Sequence, residues 1–482
     1  MTIRRSLAFS FLEKYASTAI NLGSTLVLAR LLAPEEIGVF SVGAAVVGVM
    51  HALRDFGVTN YLIQERAVDQ AKIRTAFTAT LALSWFFAGV LFLASGWAAR
   101  FYGEPGVREV VLVMAANFVL IPFGSPILAL MRRELQFGRL AAIQLASTAV
   151  NATVSILLAA LGHGFMSLAW ASLAGVATTS GLAFLARPRA FLIRPGLQEW
   201  RSVLSFGAYA TGNALIGDIR LTAPDLILGR MLGFEAVGLY SRAIGLLSIF
   251  SKLIFQGLQP VLLPVLAEKV RRGEDLRETY LKAMEYVTVL YWPFLLFLAL
   301  MAQPIVHLLL GDQWLDVAPL VRILCLSSAM AFPAFLTQPL LMSLGRIRDT
   351  LTLNLIILPV ALLMLFMGSL HSLTVVALLS YPTALLSLVT TMIVVRRYVR
   401  FSLAELARRT GRSALVTAVA ALAPAAAIAA AGWRLDLPIP LFLLSAAGFA
   451  LLWAAALFLL RHPFAAELRH NLELAYRKLS PG

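Results

Sequence analysis

Residues 29–41 read ARLLAPEEIGVFS, and residues 229–241 read GRMLGFEAVGLYS. The two stretches align without a gap at an offset of 200. Arg30/Arg230, Leu32/Leu232, Glu35/Glu235, Gly38/Gly238 and Ser41/Ser241 are identical, and Ile37/Val237, Val39/Leu239 and Phe40/Tyr240 are conservative pairs. Small apolar residues match by chance in a greasy chain, but Arg, Glu and Gly in register do not. The pairing marks an internal duplication. A weaker echo joins Pro126-Ile-Leu-Ala-Leu-Met131 to Pro339-Leu-Leu-Met-Ser-Leu344.

The duplicated segment sits in a chain of 482 residues that is 60% hydrophobic and 13% charged, with a mean hydropathy of +0.83. Soluble proteins carry roughly 25% charged residues. A membrane-crossing helix needs about 20 apolar residues, and about fourteen such runs follow one another from 7–29 to 438–460. Strand-like alternation is absent, which excludes a transmembrane barrel. The expected fold is therefore an all-α integral membrane protein of about 14 transmembrane helices. Each copy of the repeat falls between the first and second span of a six-span set. Six is even, so both sets start from the same side and are related by a pseudo-two-fold along the membrane normal. The expected division is an N-lobe over 1–195 (spans 1–6), a C-lobe over 196–400 (spans 7–12), and an appended pair, spans 13–14, with a basic tail over 401–482. Arg187-Pro188-Arg189 through Pro195-Gly196 breaks any helix at the first boundary. At the second, Ser402-Leu-Ala-Glu405 has capping-box spacing and opens a short amphipathic stretch ending in Arg408-Arg409, expected to lie as a surface helix among the headgroups.

A net charge of +15 raises the question of nucleic acid, and the distribution of that charge answers it. With the N-terminus in the cytoplasm and connections alternating, 30 of the 40 Lys and Arg residues fall on the cytoplasmic side. Only Arg30, Arg100, Arg108, Arg220, Arg230 and Arg434 fall outside, and Lys14, Arg242, Lys252 and Arg322 lie within spans. This is the positive-inside bias. The basic charge sets topology and contacts anionic membrane lipids, so no nucleic-acid partner is expected, and both termini are expected in the cytoplasm. Arg4-Arg5-Ser6-Leu7 reads as an anchor for the first span rather than an export signal, because Glu13 and Lys14 interrupt the apolar stretch. The single Cys325 and six scattered histidines make no HExxH or CxxC pattern, so no metal and no cofactor are expected.

Charges inside the hydrocarbon cost about 3 kcal/mol on insertion scales and normally face a cavity or a partner. In the first span Ser10, Lys14, Ser17/Thr18, Asn21 and Ser24/Thr25 recur at helical spacing. In the seventh, Tyr209, Asn213, Gly217 and Arg220 share a face, with Asp218 beside it and Asp225 near the outer end. In the eighth, Ser241, Ser248, Lys252, Gln256 and Gln259 form a stripe, with Arg242 about a quarter-turn away. A cleft lined this way suits an anionic substrate, since phosphates take charge-assisted donors and amides suit sugar hydroxyls. The substrate-binding candidates are Lys14, Asn21, Arg220, Arg242, Lys252 and Gln256; no catalytic residue is assigned. A structural reading competes at each: Lys14 lies about 10 Å down its helix and can snorkel to the surface, and Arg322 reads equally well as buried structure. Gln144, Asn151 and Asn354 read as helix–helix hydrogen bonders.

ARLLAPEEIGVFS, Asp55-Phe-Gly-Val58, Leu62-Ile-Gln-Glu-Arg66, Arg100-Phe-Tyr-Gly-Glu-Pro105, Leu130-Met-Arg-Arg-Glu-Leu135 and Gly238-Leu-Tyr-Ser-Arg-Ala243 together resemble the polysaccharide transporter family. That family belongs to the multidrug/oligosaccharidyl-lipid/polysaccharide exporter superfamily, and the likeness is to its Wzx-type branch of teichuronic-acid and colanic-acid flippases. It covers about residues 5–400. The resemblance implies a two-lobed fold working by alternating access and a non-enzymatic function, transfer of undecaprenyl-diphosphate-linked oligosaccharide units across the inner membrane. It also implies a lipid-linked oligosaccharide substrate, polysaccharide polymerase and chain-length machinery as partners, and basic cavity residues at Lys14, Arg242 and Lys252.

Rival readings remain on the residues alone. An ion-coupled multidrug exporter would place unpaired carboxylates in the N-lobe, where Glu13 is the one deep candidate. A membrane-embedded glycan polymerase needs a sizeable outer loop, and the outer loops here are short. An assembly scaffold leaves the intramembrane lysines without a role. The topology has a direct check: a reporter active only outside the membrane should work when fused after Gly103 and be silent after Gln136 or Arg412, and activity at either of the latter would invert the assignment.

Overall fold

The computed structural model describes residues 3–55, 62, 63, 65, 69–187, 196, 198 and 200–469, with the side chains of 3–11, 52, 55, 200–215 and 250–261 outside that description. Every regular element among the described residues is helical. In chain order they are α1 (Ile3–Leu31), α2 (Pro34–Asp55), α3 (Gln70–Tyr102), α4 (Pro105–Arg133), α5 (Phe137–Ala160), α6 (Met166–Ala186), α7 (Trp200–Met231), α8 (Phe234–Arg272) and α9 (Arg277–Leu300). There follow α10 (Ala302–Leu309), α11 (Val317–Met330), α12 (Ala334–Ser343), α13 (Ile347–Ser369), α14 (Leu373–Leu378), α15 (Ser380–Tyr398), α16 (Leu403–Ala420), α17 (Leu422–Ala430) and α18 (Ile439–Leu459). Without water to satisfy them, backbone N–H and C=O groups in hydrocarbon must pair within the segment, so helices are the outcome an apolar chain of this kind requires.

Among the described residues, ten segments are long and apolar enough to cross a membrane. Four more helices, α1, α2, α7 and α8, run for 29, 22, 32 and 39 residues. Four of the later apolar segments are broken into two helices, and proline marks each restart. Pro304, Pro382 and Pro424 stand third in α10, α15 and α17, and Pro333 immediately precedes α12. In a first helical turn the missing N–H of proline has no partner to lose.

The chain forms two compact units, Met1–Gly238 and Leu239–Gly482. In the first, α4 packs on α3 and α6, α5 on α1 and α6, and α2 on α7. Small and hydroxyl residues make these contacts: Asn117 Nδ2 donates to Ser172 Oγ at 3.1 Å, and Ser180 Oγ to the Leu120 carbonyl at 3.1 Å. Across α5 and α6 the bond comes from Ser147 Oγ to the Gly175 carbonyl at 2.9 Å. Gln144 is exposed and Asn151 packs against Gly175, so a hydroxyl takes the role expected of the amides. In the second unit α9 packs on α11 and α16, and α16 on α18; Trp453 Nε1 ties α18 to the Val289 carbonyl of α9 at 3.0 Å. Large apolar side chains face outward instead, among them Phe92 and Leu93 on α3 and Leu444, Leu451 and Leu459 on α18. That inversion of the soluble pattern is what a lipid solvent selects.

One expectation needs correcting. The stretch after Ser402 is no separate surface helix. Ser402 does cap it, accepting from Glu405 N at 3.0 Å, but the helix runs on unbroken to Ala420 with Leu406, Thr410 and Ser413 buried. Its polar face is turned toward α9, where Arg277 Nη2 reaches Glu405 Oε2 at 2.6 Å and Arg409 Nη2 reaches Glu278 Oε2 at 2.7 Å.

Two of the sequence motifs prove to be helix punctuation. In Arg100–Pro105, Gly103 closes α3 in the left-handed region (φ 72°), Glu104 accepts from Gly106 N, and Pro105 opens α4. In Leu130–Leu135, Leu135 takes φ 56° as Gln136 N returns to the Met131 carbonyl at 2.9 Å. Arg133 then reaches back to the Leu62–Glu65 motif, donating to the carbonyls of Leu62 (3.2 Å), Ile63 (3.3 Å) and Glu65, while Leu62 is fully buried against Ala76 and Ala129. One guanidinium thus holds the α2–α3 connection to the end of α4. Loss of bonds from a charged donor costs about 1.5–3 kcal/mol each, so Arg133→Ala should lower the melting temperature of the detergent-solubilised protein by several degrees and speed proteolysis of this connection. Arg133→Lys should fall between the two.

Candidate functional site

The polar stripe of α1 faces outward. Lys14 and Asn21, seven residues or about two turns apart, are both exposed, and Ser17 and Thr18 between them are half-buried. Ser17 Oγ donates to Glu13 Oε1 at 3.3 Å, and Thr18 Oγ1 to the Lys14 carbonyl at 2.7 Å. Ser24, farther along, turns inward and meets Ser155 Oγ of α5 at 3.5 Å. So α1 seats itself on α5 with its later hydroxyl and leaves Lys14 and Asn21 presented.

On α7, Arg220 is exposed and Asp218 half-buried, with Thr222 Oγ1 bonded to the Asp218 carbonyl at 2.8 Å. Tyr209 and Asn213 lie outside the described side chains. In the second unit, Arg242 of α8 sets its guanidinium over the Trp314 ring at 5.6 Å. Its Nε is buried with no hydrogen-bond partner among the described residues. Trp314 is fully buried in a 3-10 turn (Asp312–Trp314) entered through Gly311 at φ 101°, a backbone angle that only glycine adopts freely. Lys252 and Gln256 lie on α8, but their side chains are outside the described residues. The structure therefore brings Lys14 and Asn21 onto one face and packs Arg242 against an aromatic ring. Arg322 is half-buried, its Nη2 without a hydrogen-bond partner among the described residues.

Sequence reading missed a buried polar cluster in the second unit. Glu285 of α9 is 1% exposed, with Arg409 Nη1 at 3.9 Å from one carboxylate oxygen and His462 Nε2 at 3.9 Å from the other. Ser413 Oγ contacts His462 Nε2 at 3.2 Å and receives a bond from Thr288 Oγ1 at 2.9 Å. Thr288, Ser413 and His462 are all buried. The group joins α9, α16 and the residues following α18. Its one signal in the sequence was Glu285 interrupting an apolar run; a histidine 177 positions away could not be matched to it. His462 follows the last apolar helix, and burial, reinforced by the charge of Arg412, lowers its imidazole to about 4.

Long helices with apolar exteriors and hydroxyl-bonded interiors define a polytopic helical membrane protein. The fold matches solved transporters of the same build: a lipid II flippase MurJ in an inward closed conformation at a TM-score of 0.75, covering 96% of this chain and 99% of that one at 11% identity. An inward-facing MATE family transporter of the MOP superfamily matches at 0.63, covering 79% and 95% at 16% identity. In sequence, the succinoglycan biosynthesis transport protein ExoT of Rhizobium meliloti is 26% identical over 72% of this chain and 70% of its own length. The lipopolysaccharide biosynthesis protein WzxC of Escherichia coli is 25% identical over 68% and 67%. A family model described as polysaccharide biosynthesis protein matches residues 27–319. The chain belongs to that family.

The buried imidazole makes a pH prediction. A histidine held neutral in the fold, below its usual 6.5, contributes stability that is fully present above pH 6.5 and lost as pH falls toward about 4. Glu285 lies 3.9 Å from the ring and Arg412 acts on it, while Arg409, Arg412, Glu278 and Lys282 face Glu285 in turn. Melting temperatures of the wild type should therefore approach those of His462→Gln as pH drops from 7 to 4.5. A constant gap between the two proteins across that range would show that His462 does not titrate there.

Proposed function

We propose that this protein is a Wzx-type flippase that carries undecaprenyl-diphosphate-linked oligosaccharide units across the cytoplasmic membrane by alternating access, for lipopolysaccharide or exopolysaccharide biosynthesis. The supporting observation is the α1 face on which Lys14 and Asn21 are presented together, in a chain of the polysaccharide biosynthesis protein family. A diphosphate takes charge-assisted bonds from cations, and the amide and hydroxyl neighbours suit sugar. The prenyl tail needs no pocket, because it stays in lipid while the headgroup crosses. In this reading α1, α2, α7 and α8 are spans too, which makes fourteen. The lobes divide at residues 195 and 400, and both termini lie in the cytoplasm, where most of the Lys and Arg residues gather. Lys14, Asn21, Arg220, Arg242, Lys252 and Gln256 then meet the substrate. One relative of this chain, ExoT, is a transport protein by name, and a transporter needs no catalytic group. The polymerase and chain-length machinery would receive the units on the outer face.

The test is reconstitution with a fluorescent undecaprenyl-diphosphate oligosaccharide. Protein-dependent transfer across the bilayer is expected. It should fall about 10- to 100-fold in Lys14→Ala/Lys252→Ala, as loss of one or two charge-assisted bonds implies. Transfer undiminished in a folded double variant would remove these lysines from the site; no transfer under any imposed proton or sodium gradient would overturn the flippase reading.

A further inference from the structure

The duplicated segments touch each other. A Cβ added at Gly38 would stand 1.8 Å from the carbonyl oxygen of Phe234, and one added at Gly238 would stand 2.0 Å from the carbonyl oxygen of Pro34. Positions 38 and 238 correspond in the repeat, and so do 34 and 234. Each copy therefore meets its counterpart through the same atoms, the relation that a local two-fold axis produces. Pro34 and Phe234 are the first residues of α2 and α8. At both points the approach is backbone to backbone, close enough that a glycine hydrogen fills the gap, as in Cα–H···O contacts between membrane helices.

The surroundings are packed dry. Ile37, Val39, Val42 and Val237 are buried, and Val42 lies one turn inward from Gly38, where a Cβ on Gly229 would meet its methyl at 2.5 Å. Tyr102 Oη donates to the Leu226 carbonyl at 3.2 Å. Glu36 caps α2 by accepting from Ala33 N at 2.8 Å and packs on Gly164 of the α5–α6 turn. Arg30 and Arg230 are exposed beside the crossing, on the side that the charge census places outside.

We propose that the α2–α8 crossing is the outer gate of the transport path, closed in this structure, and that Gly38 and Gly238 are the positions that permit closure. The inference rests on the flippase reading for the path, but its geometry is independent of the substrate. A methyl group at either glycine collides with a backbone carbonyl, which cannot swing aside as a side-chain end can. A conformer with the two helix starts apart has no such collision. Alanine at 38 or 238 therefore penalises only the closed form and shifts the population toward the open one.

The test is accessibility. In a Cys325→Ala background, Val42→Cys should react poorly with a membrane-impermeant maleimide applied from outside. Adding Gly38→Ala or Gly238→Ala should raise the labelling rate by about tenfold or more, as a shift in gate population requires. Gly245→Ala on the same α8, where nothing lies within 4 Å of an added Cβ, should leave it unchanged. Tyr102→Phe, which deletes one hydrogen bond across the seal, should give a smaller rise and keeps the test readable if an alanine variant does not accumulate. Unchanged labelling in folded Gly38→Ala and Gly238→Ala would overturn the gate, as would an equal rise in Gly245→Ala. If labelling rises as expected but the parent transfers no lipid-linked oligosaccharide, the gate stands and the flippase reading falls.

Discussion

Two carbonyl oxygens and two glycines govern much of this molecule. At the start of α2 and of α8 the backbones come so close that no side chain fits between them. In lipid the hydrophobic effect does not drive helices together, because the tails outside are as apolar as the side chains inside. Close backbone packing and a few polar bonds do that work. The crossing is accordingly placed where both copies of the repeat supply a glycine, and its neighbours are polar contacts: the Tyr102 hydroxyl to the Leu226 carbonyl, and the Ala33 N–H to the Glu36 carboxylate. Duplication explains the economy. A segment whose glycine accepts the counterpart's carbonyl needs only one motif, used twice.

The polar groups of the interior sort into two kinds by what surrounds them. Hydroxyls such as Ser147, Ser180 and Thr288 bond across helices and vanish into the packing. Cations do not. Lys14 is presented on α1, and Arg242 keeps a buried Nε that has no hydrogen-bond partner among the described residues, beside an aromatic ring. Glu285 departs from both patterns. It is buried between Arg409 and His462, in the cluster through which α9 holds α16 and the chain after α18. A buried carboxylate with imperfect partners is a weak source of stability, and Glu285 sits where helices far apart in sequence meet.

The motifs of the sequence also divide by physical role. Arg100–Pro105 and Leu130–Leu135 end one helix and begin the next, through Gly103, Glu104, Pro105 and the left-handed Leu135. Arg133 does a second job by gripping the carbonyls at Leu62–Glu65. A motif that looks like a recognition signature can thus be mostly chain geometry, and the residues that meet a substrate need not lie within it.

Helix class and the approximate positions of the ten long apolar segments among the described residues were legible in the residues themselves, because each depends on local quantities, and the same local quantities carry the expected orientation. Hydrocarbon demands internally paired backbone, apolar runs must match its thickness, and basic loops stay on one side. The repeat also singled out Gly38 and Gly238, though not the reason for them. What the tertiary structure alone decided is which groups meet. The amphipathic start of α16 looked like a surface helix because its polar face had no visible partner; α9 supplies it, through Arg277 and Glu278. Glu285 and His462 are separated by 177 residues, and Gly38 and Phe234 by 196. Contacts at such separations leave no periodicity and no local composition to read, since they arise only when folded helices are laid against one another.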